Sequence, residues 1–303
     1  MSIMLDILFP WILFGVLLLI ILVLLVKYLK TALSYFSKMD MSSVVMKPLK
    51  IPSKEVQMNA KLILPKIALD SNGQLKSKLP LIFLNHGWNM NIDMPMLMQF
   101  AIPLAIGGPY AILVYECRGH GKTPGIKELK PELFDDIPNV ISFGEKIDGI
   151  DSNRLGFAGM SFGGEVALTR AYSDERIKAI VAMASPHDAK TNFSRKPESM
   201  KAKFNLKMIR VSGVKSEDIS DEENQKISPK YILNKDRKDL NRRIFLIHST
   251  HDNLIPLEQA EKNIEILGLP DDQVLFIEKQ GHAAMRQTLL IIASALRFFK
   301  ERL

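Results

Sequence analysis

The chain has 303 residues, 47% hydrophobic and 24% charged, with a formal net charge of +7. A single cysteine excludes an intramolecular disulfide framework. The basic balance comes without a basic helix, zinc module or RNA-binding signature, so no nucleic-acid partner is expected, although the charge suits an anionic membrane surface.

The N-terminus is the first element. Ile7 to Val26 is nearly continuous Leu, Ile, Val, Phe and Trp, broken only by Pro10 and Gly15. Twenty such residues span roughly the 30 Å hydrocarbon core, and no polar face interrupts them. The run lacks the basic start and small-residue cleavage site of a secretory signal. The expectation is an uncleaved single-pass transmembrane anchor over 1–26. Lys27, Lys30 and Lys38 follow it, with Tyr28 and Tyr35 as interfacial residues. By the positive-inside rule they place the rest of the chain in the cytoplasm. Residues 27–45 read as a juxtamembrane linker and 46–303 as one α/β domain.

Within that domain, Val56 to Ile67 and Leu79 to Leu84 start a sheet, with a turn at Asp70-Ser-Asn-Gly73. Strand and helix candidates then alternate: Tyr110–Tyr115, Pro131–Lys146, Arg154–Ala158, Gly163–Tyr172 and Ile177–Ala184. That alternation predicts a mostly parallel central sheet with helices on both faces. After Ser185-Pro186, residues 187–240 are polar and Lys-rich with no obvious strand, and read as a short cap insertion. Met200, Phe204 and Met208 are its candidates for lining an acyl pocket. Strands follow at Arg243–His248 and Gln273–Glu278. The last helix is expected over Ala283–Arg302, with Leu289, Ile292, Leu296 and Phe299 as its core stripe.

The chemistry centres on Gly159-Met160-Ser161-Phe162-Gly163, a G-x-S-x-G with a strand before it and a helix after it. A serine on a sharp strand-to-helix turn is pushed out at the sheet edge, and the flanking glycines leave room for that turn. A serine hydroxyl is a weak nucleophile that needs an imidazole base and a carboxylate to orient it. Asp252 follows a strand and precedes a Pro-started helix. His282 follows the last strand in a Gly-His pair. The order Ser161, Asp252, His282 fits such a triad. His251 lies in the loop that presents the acid, too close in sequence to be oriented by it. The oxyanion donors are expected to be the backbone N–H groups of Phe162 and of Trp88, in the exit Asn85-His86-Gly87-Trp88 of an earlier strand. His86 and His120 read as loop-bracing residues. With no H-E-x-x-H and no Cys/His cluster, no metal or organic cofactor is expected.

Together, Asn85-His86-Gly87-Trp88, Arg118-Gly119-His120-Gly121, the Ser161 elbow, Asp252 and Gly281-His282 resemble the α/β-hydrolase superfamily. Within it the chain is similar to the serine-aminopeptidase-like and dienelactone-hydrolase-like branch. The resemblance covers roughly residues 45–303 and implies an α/β-hydrolase fold and acyl transfer. It departs at Glu116, where relatives commonly carry Asp in a loop-bracing role. The expected function is a membrane-anchored serine hydrolase acting on a small-molecule acyl substrate, with carboxylic esters, including lipid-derived ones, ahead of thioesters and short peptides. An acyltransferase on the same scaffold and a non-catalytic membrane-tethered binding module are the rival readings.

Overall fold

The computed structural model describes Trp11, residues 13–23, Val26 and residues 40–303. The chain forms two compact units, Met1–Asp40 and Met41–Leu303. In the first, residues 13–23 are helical with exposed side chains. The expected transmembrane helix over 1–26 is corrected on this point: among the described residues, no helix is long and apolar enough to cross a membrane. Residues 1–10, and Lys27, Lys30 and Lys38, on which the orientation was argued, lie outside the described residues.

The second unit is built on one eight-stranded sheet of order β1-β2-β4-β3-β5-β6-β7-β8. β1 (Val44–Ser53) and β2 (Val56–Pro65) form an antiparallel hairpin, and β2 runs antiparallel to β4 (Ala111–Tyr115). From β4 onward the sheet is parallel, through β3 (Leu79–Asn85), β5 (Ile150–Met160), β6 (Ile177–Met183), β7 (Ile244–Ser249) and β8 (Val274–Ile277). Every residue of β3, β4 and β7 is buried, as expected of strands covered by helices on both faces. β1 begins two residues inside the segment expected to be linker.

The helices are α1 (Pro95–Gly107), α2 (Pro131–Asp135), α3 (Ile137–Gly144), α4 (Phe162–Val166), α5 (Ala189–Ser194), α6 (Met200–Val211), α7 (Asp221–Ile227), α8 (Pro229–Ile232), α9 (Lys238–Asn241), α10 (Leu257–Leu267) and α11 (Thr288–Lys300). The single helix expected over 131–146 is interrupted between α2 and α3 at Asp136. Pro138 is tolerated only in a first turn, and the buried Asp136 carboxylate is held by Arg118 Nε at 3.0 Å and a second guanidinium nitrogen at 2.9 Å. The final helix is also shorter than expected, because residues 282–287 form a 3₁₀ turn ahead of α11. Its buried face is Ile291, Ile292, Ala295, Phe298 and Phe299, whereas Leu289 is 84% exposed. The core stripe is thus centred about 120° around the helix from Leu289.

Residues 187–240 hold α5 to α9. Their polar composition is used in caps and cross-links. Asp188 accepts from Thr191 N–H, Asn224 Nδ2 and Lys230 Nζ, and Ser220 and Glu223 form a capping box at α7. Ala202 and Leu206 face inward on α6. Met200, Phe204 and Met208 lie on its opposite face and are exposed, and none of the three lines the cavity beside Ser161.

The carboxyl ends of the parallel strands share one edge. From β3 the chain turns to β4 on one side, and β5 then pairs on the other. The crevice between the ends of β3 and β5 is therefore a topological switch point, where open α/β sheets bind ligands.

Candidate active site

Ser161 sits at that crevice. β5 ends at Met160, Ser161 has φ 58° and ψ −118°, and α4 begins at Phe162. A serine at positive φ is strained, and the surroundings hold it there. Its N–H donates to Met183 O at 2.8 Å, and its carbonyl accepts from Glu165 N–H at 3.0 Å. A methyl on Gly159 would come 2.0 Å from Gly163 O, and one on Gly163 would come 2.4 Å from Asn85 O. Only glycine fits at either place.

The residues expected as acid and base, Asp252 and His282, meet. Asp252, just after β7, has its side chain fully buried, and its Oδ2 lies 2.6 Å from His282 Nδ1. Its Oδ1 accepts from Leu254 N–H at 2.8 Å and Ile255 N–H at 2.9 Å. Burial alone would raise this carboxyl. The charge and hydrogen bond of His282, the neighbouring His248 and the Ile255 N–H outweigh it and hold the group below its ordinary value. Two links fasten the histidine loop to the acid loop: Ser249 Oγ donates to Gln280 O, and Lys279 N–H donates to Thr250 Oγ1 at 3.2 Å. His251 is exposed, and its ring Nδ1 lies 3.0 Å from Thr250 Oγ1. Among the described residues, no hydrogen bond joins Ser161 Oγ to His282 Nε2. Such contacts are often loose without substrate and tighten on binding.

The strand exit 85–88 abuts the elbow. A methyl on Gly87 would lie 3.6 Å from Ser161 Cβ. The Phe162 N–H opens α4 and has no helical acceptor, and among the described residues the Trp88 N–H makes no backbone hydrogen bond. Both stand beside Ser161. Trp88 is fixed by its indole, which donates to Ser212 O at 3.2 Å and Ser212 Oγ at 3.1 Å, tying the loop to the end of α6. Its ring meets Phe162 edge-on at 5.5 Å and His120 at 4.9 Å.

The remaining loop residues brace. His86 is fully buried. Its Nδ1–H donates to Gly87 O at 2.8 Å, and its Nε2 accepts from Cys117 N–H at 3.0 Å. Burial first, then the neighbouring His120, pushes its pKa down to about 3, so it is neutral at physiological pH. Glu116 accepts from Asn59 Nδ2, Lys122 N–H and Ile92 N–H, joining three segments. The extra methylene relative to Asp leaves the bracing role intact.

A small cavity of about 10 Å³, room for roughly one water, opens beside Ser161. Trp88, Phe162, Phe193, Ile209, Leu254 and Ile255 form most of its apolar wall. Glu165 also lines it and is only 1% exposed. Its Oε1 is buried without a hydrogen-bond partner among the described residues. Burial, and then the nearby Asp188 charge, pushes this carboxyl well above its ordinary range. Sequence reading passed over Glu165. The signal was there: an acid four residues after the serine, in a helix whose other positions are small or apolar.

Residues 110–303 match the profile of the prolyl oligopeptidase family. The chain is 36% identical over 107 residues to an uncharacterized 31.7 kDa protein in the traX-finO intergenic region of Escherichia coli, covering 35% of this chain and 37% of that protein. It is 28% identical over 127 residues to the acyltransferase drtE of Aspergillus calidoustus, covering 38% of this chain and 41% of that one. The chain therefore spans well under half the length of these relatives. Among solved structures, an esterase of Pyrococcus furiosus superposes with a TM-score of 0.60 at 18% identity, over 86% of this chain and 92% of that one. That likeness is one of α/β-hydrolase fold.

Proposed function

The chain belongs to the prolyl oligopeptidase family, and from that premise we propose that it is a serine hydrolase cleaving carboxylic esters of small acyl groups through an acyl-enzyme on Ser161. In this reading Ser161 Oγ attacks the carbonyl carbon. His282 takes the proton and later returns it to the leaving alcohol. Asp252 fixes the imidazole tautomer and stabilises the imidazolium. The Phe162 and Trp88 N–H groups receive the tetrahedral oxyanion. Water then attacks the acyl-enzyme with the same base, releasing the acid.

The observation that carries the reading is the strained Ser161 elbow at the same sheet edge as the 2.6 Å Asp252–His282 pair. The size of the cavity supports a short acyl group. Lipid-derived esters drew their support from the expected anchor rather than from the pocket. The experiment is hydrolysis of p-nitrophenyl esters of increasing chain length by wild type and Ser161→Ala. Acetyl to butyryl esters should be cleaved faster than octanoyl, and Ser161→Ala should cleave none above background. Turnover by Ser161→Ala close to wild type would overturn the assignment.

The similarity to a fungal acyltransferase favours a second reading, in which an alcohol or amine replaces water. Product analysis with and without an added acceptor separates the two. Thioester or aminopeptidase-like cleavage would show as preference for thioesters or aminoacyl arylamides in the same assays.

A further inference from the structure

Glu165 is the one ionisable side chain among the described residues lining the cavity beside Ser161. It stands one helical turn beyond the serine on α4, and its own N–H is already used by the Ser161 carbonyl. Its carboxyl accepts no hydrogen bond among the described residues, and Oε1 is buried without a partner. A buried carboxyl in an apolar wall is costly to retain. Asp188, whose charge acts on it, differs in being engaged by Lys230, Asn224 and Thr191. Among the described residues, no basic group lines the cavity to hold Glu165 as a carboxylate.

We propose that Glu165 is a specificity-determining residue that receives a hydroxyl on the acyl part of the substrate. A neutral carboxylic acid has one O–H donor and one carbonyl acceptor. A hydroxyl offers the complementary pair, so one substrate group satisfies both. The cavity has room for about one water-sized group, which the substrate hydroxyl fills, so the acyl arm between carbonyl and hydroxyl is short. Ser161 and Glu165, both lining the cavity, then hold the two ends of that arm. This inference rests on the serine-hydrolase reading above.

The test compares kcat/KM for three nearly isosteric p-nitrophenyl esters: butyrate, 3-hydroxypropionate and β-alaninate. They end in methyl, hydroxyl and ammonium. Rates are corrected with Ser161→Ala, and fluorophosphonate labelling counts competent sites. Wild type should favour 3-hydroxypropionate over butyrate by about tenfold or more. Glu165→Leu should lose that preference while still labelling. Glu165→Gln, which keeps a donor and an acceptor, should retain much of it. Equal wild-type rates for the two esters would overturn the proposal, whether or not either variant folds. A preference for the β-alaninate would also overturn it, by assigning an ammonium partner. So would a parallel fall for all three esters in Glu165→Leu with the preference intact, since that marks a structural role. If wild type neither labels nor cleaves any ester, the hydrolase reading itself fails, and the two failures are thereby distinguished.

Discussion

At the scale of single residues, the site rests on groups whose state is set by what surrounds them. The Asp252 carboxylate spends both oxygens, one on His282 and one on two backbone N–H groups. Asp252→Asn keeps the shape but loses the charge that stabilises the imidazolium, so turnover should fall by about 10⁴ by analogy with serine proteases. A nearly silent Asp252→Asn would show that the acid lies elsewhere. Glu165 makes a prediction about pH. Its folded-state pKa is raised, by burial first and by Asp188 second, while in the unfolded chain it titrates near ~4.3. Below that value both states are protonated and nothing is lost. As pH rises, only the unfolded state ionises, so wild-type stability declines toward the folded pKa. Glu165→Gln does not ionise. Its melting temperature relative to wild type should therefore increase from pH 4 to pH 8, and a constant difference would contradict the buried acid. Ser161, Asp252 and His282 were legible because glycine spacing and strand ends announce them in order. Glu165 left only a local signal, because the cavity it lines is walled by Phe193, Ile209, Leu254 and Ile255, distant in sequence.

At the scale of elements, what could be read depended on which strands are covered. β3, β4 and β7 are uninterrupted apolar runs because helices shield both faces. β1 went unread because it is an edge strand, with Lys47, Pro48, Lys50 and Pro52 on its exposed positions. Those residues blunt an edge and erase the pattern that reveals a strand. α1 was hidden differently: it is apolar on nearly every face and carries Pro103 inside it, so no amphipathic period stands out. The elbow gives a direct prediction. Gly159→Ala places a methyl 2.0 Å from the Gly163 carbonyl oxygen. It should cost about 1–3 kcal/mol in urea unfolding and remove activity through the misplaced serine. A second concerns the loop after β4. Arg118→Met would leave the buried Asp136 without its bidentate partner and should cost about 3–5 kcal/mol. Unchanged urea midpoints would contradict each in turn.

At the scale of the whole molecule, the βα alternation carried the fold class, because a parallel sheet needs a crossover between neighbours and each crossover leaves a helix-length segment. The strand order could not be read so directly, since pairing joins segments distant in sequence. The N-terminal reading rested on hydropathy and on the charges flanking the apolar run. Residues 41–303 contain the complete sheet and every candidate site residue. That segment, produced alone, should fold and hydrolyse short esters at rates near those of the full chain. A folded but inactive segment would mean that residues 1–40 shape the site.

The central claim is that Ser161 is the nucleophile of an acyl-transfer site. The most direct measurement is to treat the full chain with a fluorophosphonate probe and map the adduct by mass spectrometry. The account predicts a single stoichiometric adduct on the peptide carrying Ser161, lost in Ser161→Ala and strongly slowed in His282→Ala. Absence of labelling in the folded wild-type chain, or an adduct on another residue that persists in Ser161→Ala, would contradict it.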